Sequence, residues 1–151
     1  MKTLRILIIE DDLKTLSVIT DRLFEIEETL VGKNDFAVTV FSEAHELQNY
    51  LEKFDNFFFD IVICDRDSKE GASFHALPLE KLGMQKIIAI STVPGYNDEL
   101  LRRGAKRALT KDYEEIEKFG NNLKEEIIDL LSLNNKLNSA YEVGFRGKNI
   151  S

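Results

Sequence analysis

The side chains in this 151-residue sequence that could carry out chemistry follow directly after short apolar segments. They are carboxylates, two hydroxyls and one lysine: Glu10, Asp11, Asp12, Asp65, Asp67, Ser91, Thr92 and Lys111. Several carboxylates in one crevice repel one another, and a bound cation relieves that repulsion. Because the ligands on offer are oxygen atoms, their chemistry favours Mg²⁺ over a transition metal.

A carboxylate beside such a cation can also act as a nucleophile. Asp65 could form an aspartyl phosphate, and a lysine, a hydroxyl and Mg²⁺ would supply the positioning and charge stabilisation that phosphoryl transfer requires. Each residue alone has a simpler interpretation: Asp11 or Asp12 as a helix N-cap, Asp67 as a solvated loop acid and Lys111 as a surface charge. Their recurrence after successive apolar segments favours one shared site.

The apolar segments have the β-branched composition of strands. Three of them are nearly continuous in apolar residues, which is typical of parallel strands covered on both faces. In chain order the predicted strands are Leu4–Ile9, Phe36–Phe41, Phe59–Cys64, Lys86–Ile90 and Arg107–Thr110.

The stretches between and after these strands carry apolar residues three or four positions apart, which predicts amphipathic helices. The predicted helices are Leu13–Leu30, Glu43–Phe54, Phe74–Leu82, Asn97–Arg103 and Tyr113–Leu133. Strands that alternate with helices predict right-handed crossovers and a doubly wound α/β fold, with helices on both faces of the sheet. Ligands bind such sheets at the carboxyl ends of the strands, where the polar residues above are placed.

The composition and charge of the sequence argue against several classes of protein. The formal net charge is −7 at pH 7, which argues against nucleic-acid binding through a general basic surface. The early apolar run Ile6–Ile9 is far too short for a membrane span or a signal peptide. The lone Cys64 cannot form an internal disulfide, which fits a reducing compartment. We therefore expect a cytoplasmic protein that binds neither membranes nor nucleic acid.

Four motifs, in the order ILIIEDD, DIVICD, IIAIS and GAKRALTK, resemble the receiver domain of response regulators in two-component signalling. The resemblance extends from about Lys2 to Leu131. It implies a flavodoxin-like, five-stranded parallel sheet of order 2-1-3-4-5. We accordingly expect a receiver domain over residues 1–133, followed by a tail or small appended element over residues 134–151.

The resemblance also implies roles for the residues around a phosphoryl group. Asp65 ends the DIVICD motif and corresponds to the phosphoacceptor. Lys111 corresponds to the lysine that contacts the phosphoryl oxygens. Ser91 corresponds to the hydroxyl residue that moves toward the phosphoryl group, with Thr92 as its neighbour.

A Mg²⁺ site is implied in the same way. Asp11 and Asp65 would bind the ion directly, and Glu10 would do so largely through water. Asp67, two residues after the phosphoacceptor, would offer its backbone carbonyl.

Three departures from the family pattern lie around the predicted phosphoryl site. The loop Arg66–Gly71 contains no proline, Asp112 stands where a proline usually follows the lysine, and Ala108 occupies the position of the usual aromatic switch residue. A rotamer change of a Tyr or Phe at position 108 therefore cannot report phosphorylation.

The expected partners are a histidine kinase or histidine phosphotransfer protein, and a downstream protein target. The target would bind the face formed by Asn97–Arg103, Arg107–Thr110 and Tyr113–Leu133. We expect no enzymatic activity beyond self-catalysed phosphorylation and dephosphorylation. Two alternatives stay open: a degenerate receiver that acts as a phosphorylation-independent interaction module, and a phosphatase of the haloacid-dehalogenase type that uses Asp65 and Asp67.

The segment 134–151 carries less information. Its apolar residues Tyr141, Val143 and Phe145 could pack on the domain or pair with a second copy in a homodimer, or the segment could be an unattached end.

Overall fold

The computed structural model describes residues 2–30, 33–53, 59–69 and 71–133, so the predicted tail lies outside the described residues. The described strands are β1 (Lys2–Ile9), β2 (Asn34–Phe41), β3 (Ile61–Asp65), β4 (Ile87–Ser91) and β5 (Arg107–Thr110). They form one five-stranded sheet of order β2-β1-β3-β4-β5, and every neighbouring pair is parallel. The predicted doubly wound sheet and its strand order are confirmed.

Helices cover both faces of this sheet. They are α1 (Leu13–Thr29), α2 (Ala44–Lys53), α3 (Asn97–Arg102) and α4 (Ile116–Leu133). The alternation of side chains along β1 divides the core in two: Leu4, Ile6 and Ile8 pack with α1 and α4, and Leu7 and Ile9 pack with α2 and α3 on the other face. Among the described residues, no helix has the length and apolar character that a membrane span requires.

The predicted helix Phe74–Leu82 is wrong. The chain between β3 and β4 forms short 3-10 turns instead, over Phe74–Ala76, Leu79–Leu82 and Met84–Lys86. Pro78 explains the interruption, because the residue before a proline is driven out of the helical region. Leu77 is indeed extended, with φ −83° and ψ 160°, so the first turn ends there. The second turn ends at Gly83, whose φ is 88°.

The strand ends differ slightly from the prediction, and one difference matters for the site. Strand β3 ends at Asp65 rather than Cys64, so the Asp65 backbone is held within the sheet, in register with Ile90 of β4. A carboxylate on a strand is fixed more firmly than one on the loop that follows it.

Gly120 permits a close approach between α1 and α4. A Cβ built at this position would lie 2.6 Å from Val18 Cγ1 and 3.0 Å from Arg22 Nε, both in α1. Arg22 itself is only 4% exposed and donates from Nε to Asn121 Oδ1 of α4 at 3.1 Å. The glycine, which lowers helix propensity when considered alone, thus makes room for the two helices to pack.

We expect Gly120→Ala to lower the free energy of unfolding by about 1–3 kcal/mol because the added methyl overpacks this contact. In an exposed helix the same change would stabilise the protein by up to about 1 kcal/mol. Urea denaturation measures the difference. Asn122→Ala, on the exposed side of α4, is the matched control and should have little effect. An unchanged or higher stability of Gly120→Ala would contradict the proposed packing.

Candidate functional site

Three ionisable side chains lie together at the carboxyl ends of β1, β3 and β5. Glu10 follows β1 directly, and its N–H donates to the Phe41 carbonyl at the end of β2, at 3.2 Å. Asp65 is the last residue of β3. Lys111 follows β5, and its N–H donates to the Ser91 carbonyl at 2.7 Å. The backbone of each residue is therefore fixed by the sheet.

Lys111 bridges two buried carboxylates. Its Nζ lies 3.0 Å from Glu10 Oε2 and 3.1 Å from Asp65 Oδ1. The three side chains are nearly inaccessible to solvent, with 4% of Lys111, 0% of Glu10 and 8% of Asp65 exposed. Ion pairs buried to this degree are costly to desolvate, and removing one partner leaves an uncompensated charge.

Burial and the charges of neighbouring side chains shift the pKa values of Glu10, Asp65 and Lys111. Burial and the neighbouring Asp65 raise the pKa of Glu10 from 4.5 to about 7. Burial also raises the pKa of Asp65, although Lys111 acts in the opposite direction. Burial alone would lower the pKa of Lys111, but the two carboxylates outweigh it and raise that pKa, so the ammonium stays charged. The pocket holds more negative charge than one lysine can balance.

A third carboxylate completes the acidic cluster. Glu10, Asp11 and Asp65 each offer an oxygen atom, and these atoms lie within 4.8 Å of one another. Asp11 is less buried than the other two, and its Oδ2 accepts a hydrogen bond from the Lys69 backbone N–H in the loop after β3. An all-oxygen set at this spacing could hold a hard divalent cation.

Asp12 has a structural role, which separates it from the cluster. It is the N-cap of α1 and accepts hydrogen bonds from the Thr15 N–H at 2.9 Å and the Thr15 hydroxyl at 2.6 Å. Glu10 Oε1 in turn accepts from the Asp12 N–H at 3.0 Å. Of the two candidate caps, Asp12 therefore starts the helix, and Asp11 is left to face the acidic cluster.

The side chain of Asp67 does not join the cluster. It is exposed, and its Oδ1 accepts a hydrogen bond from Arg66 Nη1 at 2.6 Å. The Arg66 guanidinium lies over the ring of Tyr96, 3.9 Å from the ring centroid. Metal binding through the Asp67 backbone carbonyl stays a prediction.

Ser91 and Thr92 differ in accessibility. Ser91 is 2% exposed, and its hydroxyl accepts a hydrogen bond from the Val93 N–H at 3.1 Å. Thr92 is exposed. The Ser91 carbonyl already holds the Lys111 backbone, so Ser91 is linked to the charged cluster through the main chain. Functional roles for both hydroxyls stay predictions.

Two contacts around the site were not predicted from the sequence. The Lys69 N–H that binds Asp11 is a backbone donor, which no residue type could reveal. The Arg66–Tyr96 stack joins the loop after β3 to the loop after β4. A signal existed for it, since an arginine next to Asp65 and a tyrosine shortly after β4 must lie at the same edge of the sheet.

We expect Glu10→Gln to stabilise the metal-free protein at pH 8. The folded state raises the pKa of Glu10 from 4.5 to about 7. Between these two pH values, the folded protein therefore holds a proton on Glu10 that the unfolded chain has released. Stability is therefore lost as the pH rises through this window, by about 1–3 kcal/mol. Glutamine cannot ionise, so the variant should keep this stability.

Urea denaturation in chelator at pH 5 and pH 8 measures the effect. The advantage of Glu10→Gln over the wild type should be largest at pH 8 and should shrink at pH 5. Glu125→Gln on the exposed side of α4 is the control. A Glu10→Gln variant less stable than the wild type at pH 8 would show that the carboxylate contributes more than it costs.

Comparisons with known proteins point to one fold. No protein-family model matches the sequence, and no curated protein matches it. The structure is similar to a response regulator receiver domain from Rhodospirillum rubrum, at 18% identity and TM-score 0.55, over 80% of this chain and 91% of that chain. It is also similar to the chemotaxis response regulator CheY4 of Vibrio cholerae, at 18% identity and TM-score 0.53, over 82% and 98%.

A third similar structure is the bacteriophytochrome response regulator AtBRR, at 16% identity and TM-score 0.53, over 82% of this chain and 91% of that chain. At these identities the likeness concerns the fold. The matches cover most of each receiver, and they agree with the strand order observed here. The chain has the fold of a response-regulator receiver domain.

Proposed function

We propose that this chain is a phosphoacceptor receiver of a two-component or phosphorelay system. Asp65 accepts a phosphoryl group from the phosphohistidine of a histidine kinase or histidine phosphotransfer protein. The observation that carries this proposal is the Lys111 ammonium, held 3.0 Å from Glu10 and 3.1 Å from Asp65 beside a third carboxylate, Asp11. A carboxylate suited to accept a phosphoryl group, an ammonium group and further carboxylates that could hold a metal ion thus share one pocket in a receiver fold.

The acidic cluster fits Mg²⁺. Its donors are all carboxylate oxygens. Burial, and after it the charge of Asp65, raise the pKa of Glu10 to about 7, and a bound cation would favour the charged carboxylate against both effects. Asp11 and Asp65 would hold the ion directly, Glu10 largely through water, and Asp67 through its carbonyl. When bound, Mg²⁺ would neutralise charge on the phosphoryl oxygens and on Asp65.

Asp65 is suited to be the nucleophile. Its carboxylate is held by β3 and, at 8% exposed, is the most accessible of the three side chains that share the ion pairs. In the reaction, a carboxylate oxygen of Asp65 forms the new bond to phosphorus, and the bond from phosphorus to the histidine nitrogen breaks. The histidine ring leaves with the electron pair of that bond.

Lys111 and Ser91 would act on the transferred group. The Lys111 ammonium can move from its carboxylate partners to a phosphoryl oxygen and balance the added charge. Ser91 lies at the end of β4, in register with Thr110 of β5, the residue before Lys111. Its hydroxyl would exchange the Val93 N–H for a phosphoryl oxygen, with exposed Thr92 as the neighbour that rearranges. The same pocket would slowly hydrolyse the aspartyl phosphate.

The phosphorylated form would regulate a downstream protein by direct contact, through the face that α3, β5 and α4 form. Because the partners proposed here are met in the cytoplasm, we propose that the protein acts there. One observation favours a second candidate function, a phosphorylation-independent interaction module. Ala108 in β5 is half-buried and supplies no aromatic ring that could change rotamer.

Phosphorylation of the full chain tests the proposal directly. With acetyl phosphate and Mg²⁺, intact-mass spectrometry should show one added phosphoryl group per chain, and none when the metal is chelated. Asp65→Asn should take up none, because an amide is not a nucleophile for this reaction. Asp98→Asn, an exposed change on α3, should be phosphorylated like the wild type.

Two results would contradict the proposal. One is an Asp65→Asn variant that takes up phosphate at the same position, and the other is a wild-type chain that takes up none. A phosphorylated protein whose NMR spectrum changes only next to Asp65 would instead favour the interaction module. Repeated turnover of a generic phosphatase substrate would favour the haloacid-dehalogenase alternative.

A further inference from the structure

Strand β2 forms one edge of the sheet, and within the described ranges no strand pairs with its outer side. The Lys2 N–H donates to the Lys33 carbonyl at 3.1 Å, and the Glu10 N–H donates to the Phe41 carbonyl at 3.2 Å. Since backbone direction alternates along a strand, the odd-numbered residues of β2 face β1. The even-numbered residues therefore direct their backbone N–H and C=O groups away from the sheet.

Part of this outer edge is capped and part is open. The Phe36 N–H donates to Glu27 Oε2 of α1 at 2.8 Å. Val38 and Val40 have no partner for their outward backbone groups in the part of the chain that the structure describes. An open length of edge strand is a template for the addition of another strand.

Exposed apolar side chains lie beside the open edge. Val38 is 44% exposed and Val40 is 43% exposed. Phe24 of α1 is 56% exposed, and it lines a groove between α1 and β2 together with Phe36 and Val38. Adjacent exposed apolar residues of this kind mark an interaction surface. A strand added at β2 would cover them.

We infer that the occupant of this edge is β2 of a second copy of the chain, paired antiparallel with Val38 on the twofold axis. In this register Val38 faces Val38 of the second copy, and Phe36 faces Val40. Both are outward-facing pairs of the kind that exchange backbone hydrogen bonds in an antiparallel ladder. The pairing of an aromatic with a β-branched residue is also a favourable cross-strand contact.

The charges of the facing side chains favour this register over the registers shifted by one residue in either direction. With Val38 on the axis, Lys33 stands opposite Glu43 of the second copy, and the pair occurs twice. Both residues are exposed, and neither has an ion-pair partner among the described side chains. A shift of the axis to Thr39 would instead oppose Asp35 and Glu43. A shift in the other direction would pair no opposite charges.

The interface would be isologous, because each copy offers the same surface. Its axis runs perpendicular to the sheet, so the two α1 helices lie on the same side and bring Phe24 of each copy toward the Val38 pair. The Phe36 N–H would exchange Glu27 for the Val40 carbonyl of the second copy. Glu27 thus competes with the second copy for the edge.

Sedimentation equilibrium of the full chain in chelator tests this inference independently of phosphorylation. The wild type should show a monomer–dimer equilibrium over a series that reaches high micromolar concentrations. Val38→Lys should be monomeric throughout, because it places two ammonium groups on the axis. Leu101→Lys, at a 40% exposed position on α3, is the matched control and should dimerise like the wild type.

Charge exchange tests the register. Lys33→Glu should raise the dimer Kd about tenfold, because it opposes two acidic pairs in place of two ion pairs. Combining Lys33→Glu with Glu43→Lys should restore the wild-type Kd, and Glu27→Ala should lower it by freeing the Phe36 N–H. A monomeric wild type would overturn the interface, and a charge-exchanged variant that dimerises no better than Lys33→Glu alone would overturn the register.

Discussion

Two almost fully buried carboxylates, Glu10 and Asp65, share the ammonium group of Lys111, and the geometry of the site depends on this interaction. Burying either acid without a counter-charge would be prohibitive. The lysine comes from the end of β5 and the acids from β1 and β3, so the cluster forms only when the strand order is correct. One lysine does not balance the negative charge of the pocket. A divalent cation or a proton can supply the missing positive charge.

The surrounding elements hold this cluster in place through the backbone. The Lys111 N–H is bound by the Ser91 carbonyl, and Glu10 Oε1 accepts the N–H groups of Asp11 and Asp12 as the chain turns into α1. On the face opposite α2 and α3, the contact at Gly120 brings α4 against α1.

Much of this arrangement could be predicted from the sequence, because it depends on local patterns. Continuous apolar runs marked β1, β3 and β4, and the residues after each run had to meet at one edge of a parallel sheet. The 3-10 turns around Pro78 were also encoded, because Pro78 is the fifth residue of the predicted helix Phe74–Leu82 and lies beyond the first turn, where a proline is tolerated. By contrast, the role of Gly120 depends on Val18 and Arg22 about a hundred residues away, which no local pattern reveals.

The central claim is that the acidic cluster and Lys111 form a single Mg²⁺-dependent phosphoryl site. A crystal structure of the full chain with Mg²⁺ and beryllofluoride, whose fluorides stand for phosphoryl oxygens, tests it most directly. The account predicts one ion shared by Asp11, Asp65 and the Asp67 carbonyl, with beryllium on Asp65 and the Lys111 ammonium against a fluoride. An ion bound elsewhere, or Lys111 turned away from an occupied Asp65, would contradict it.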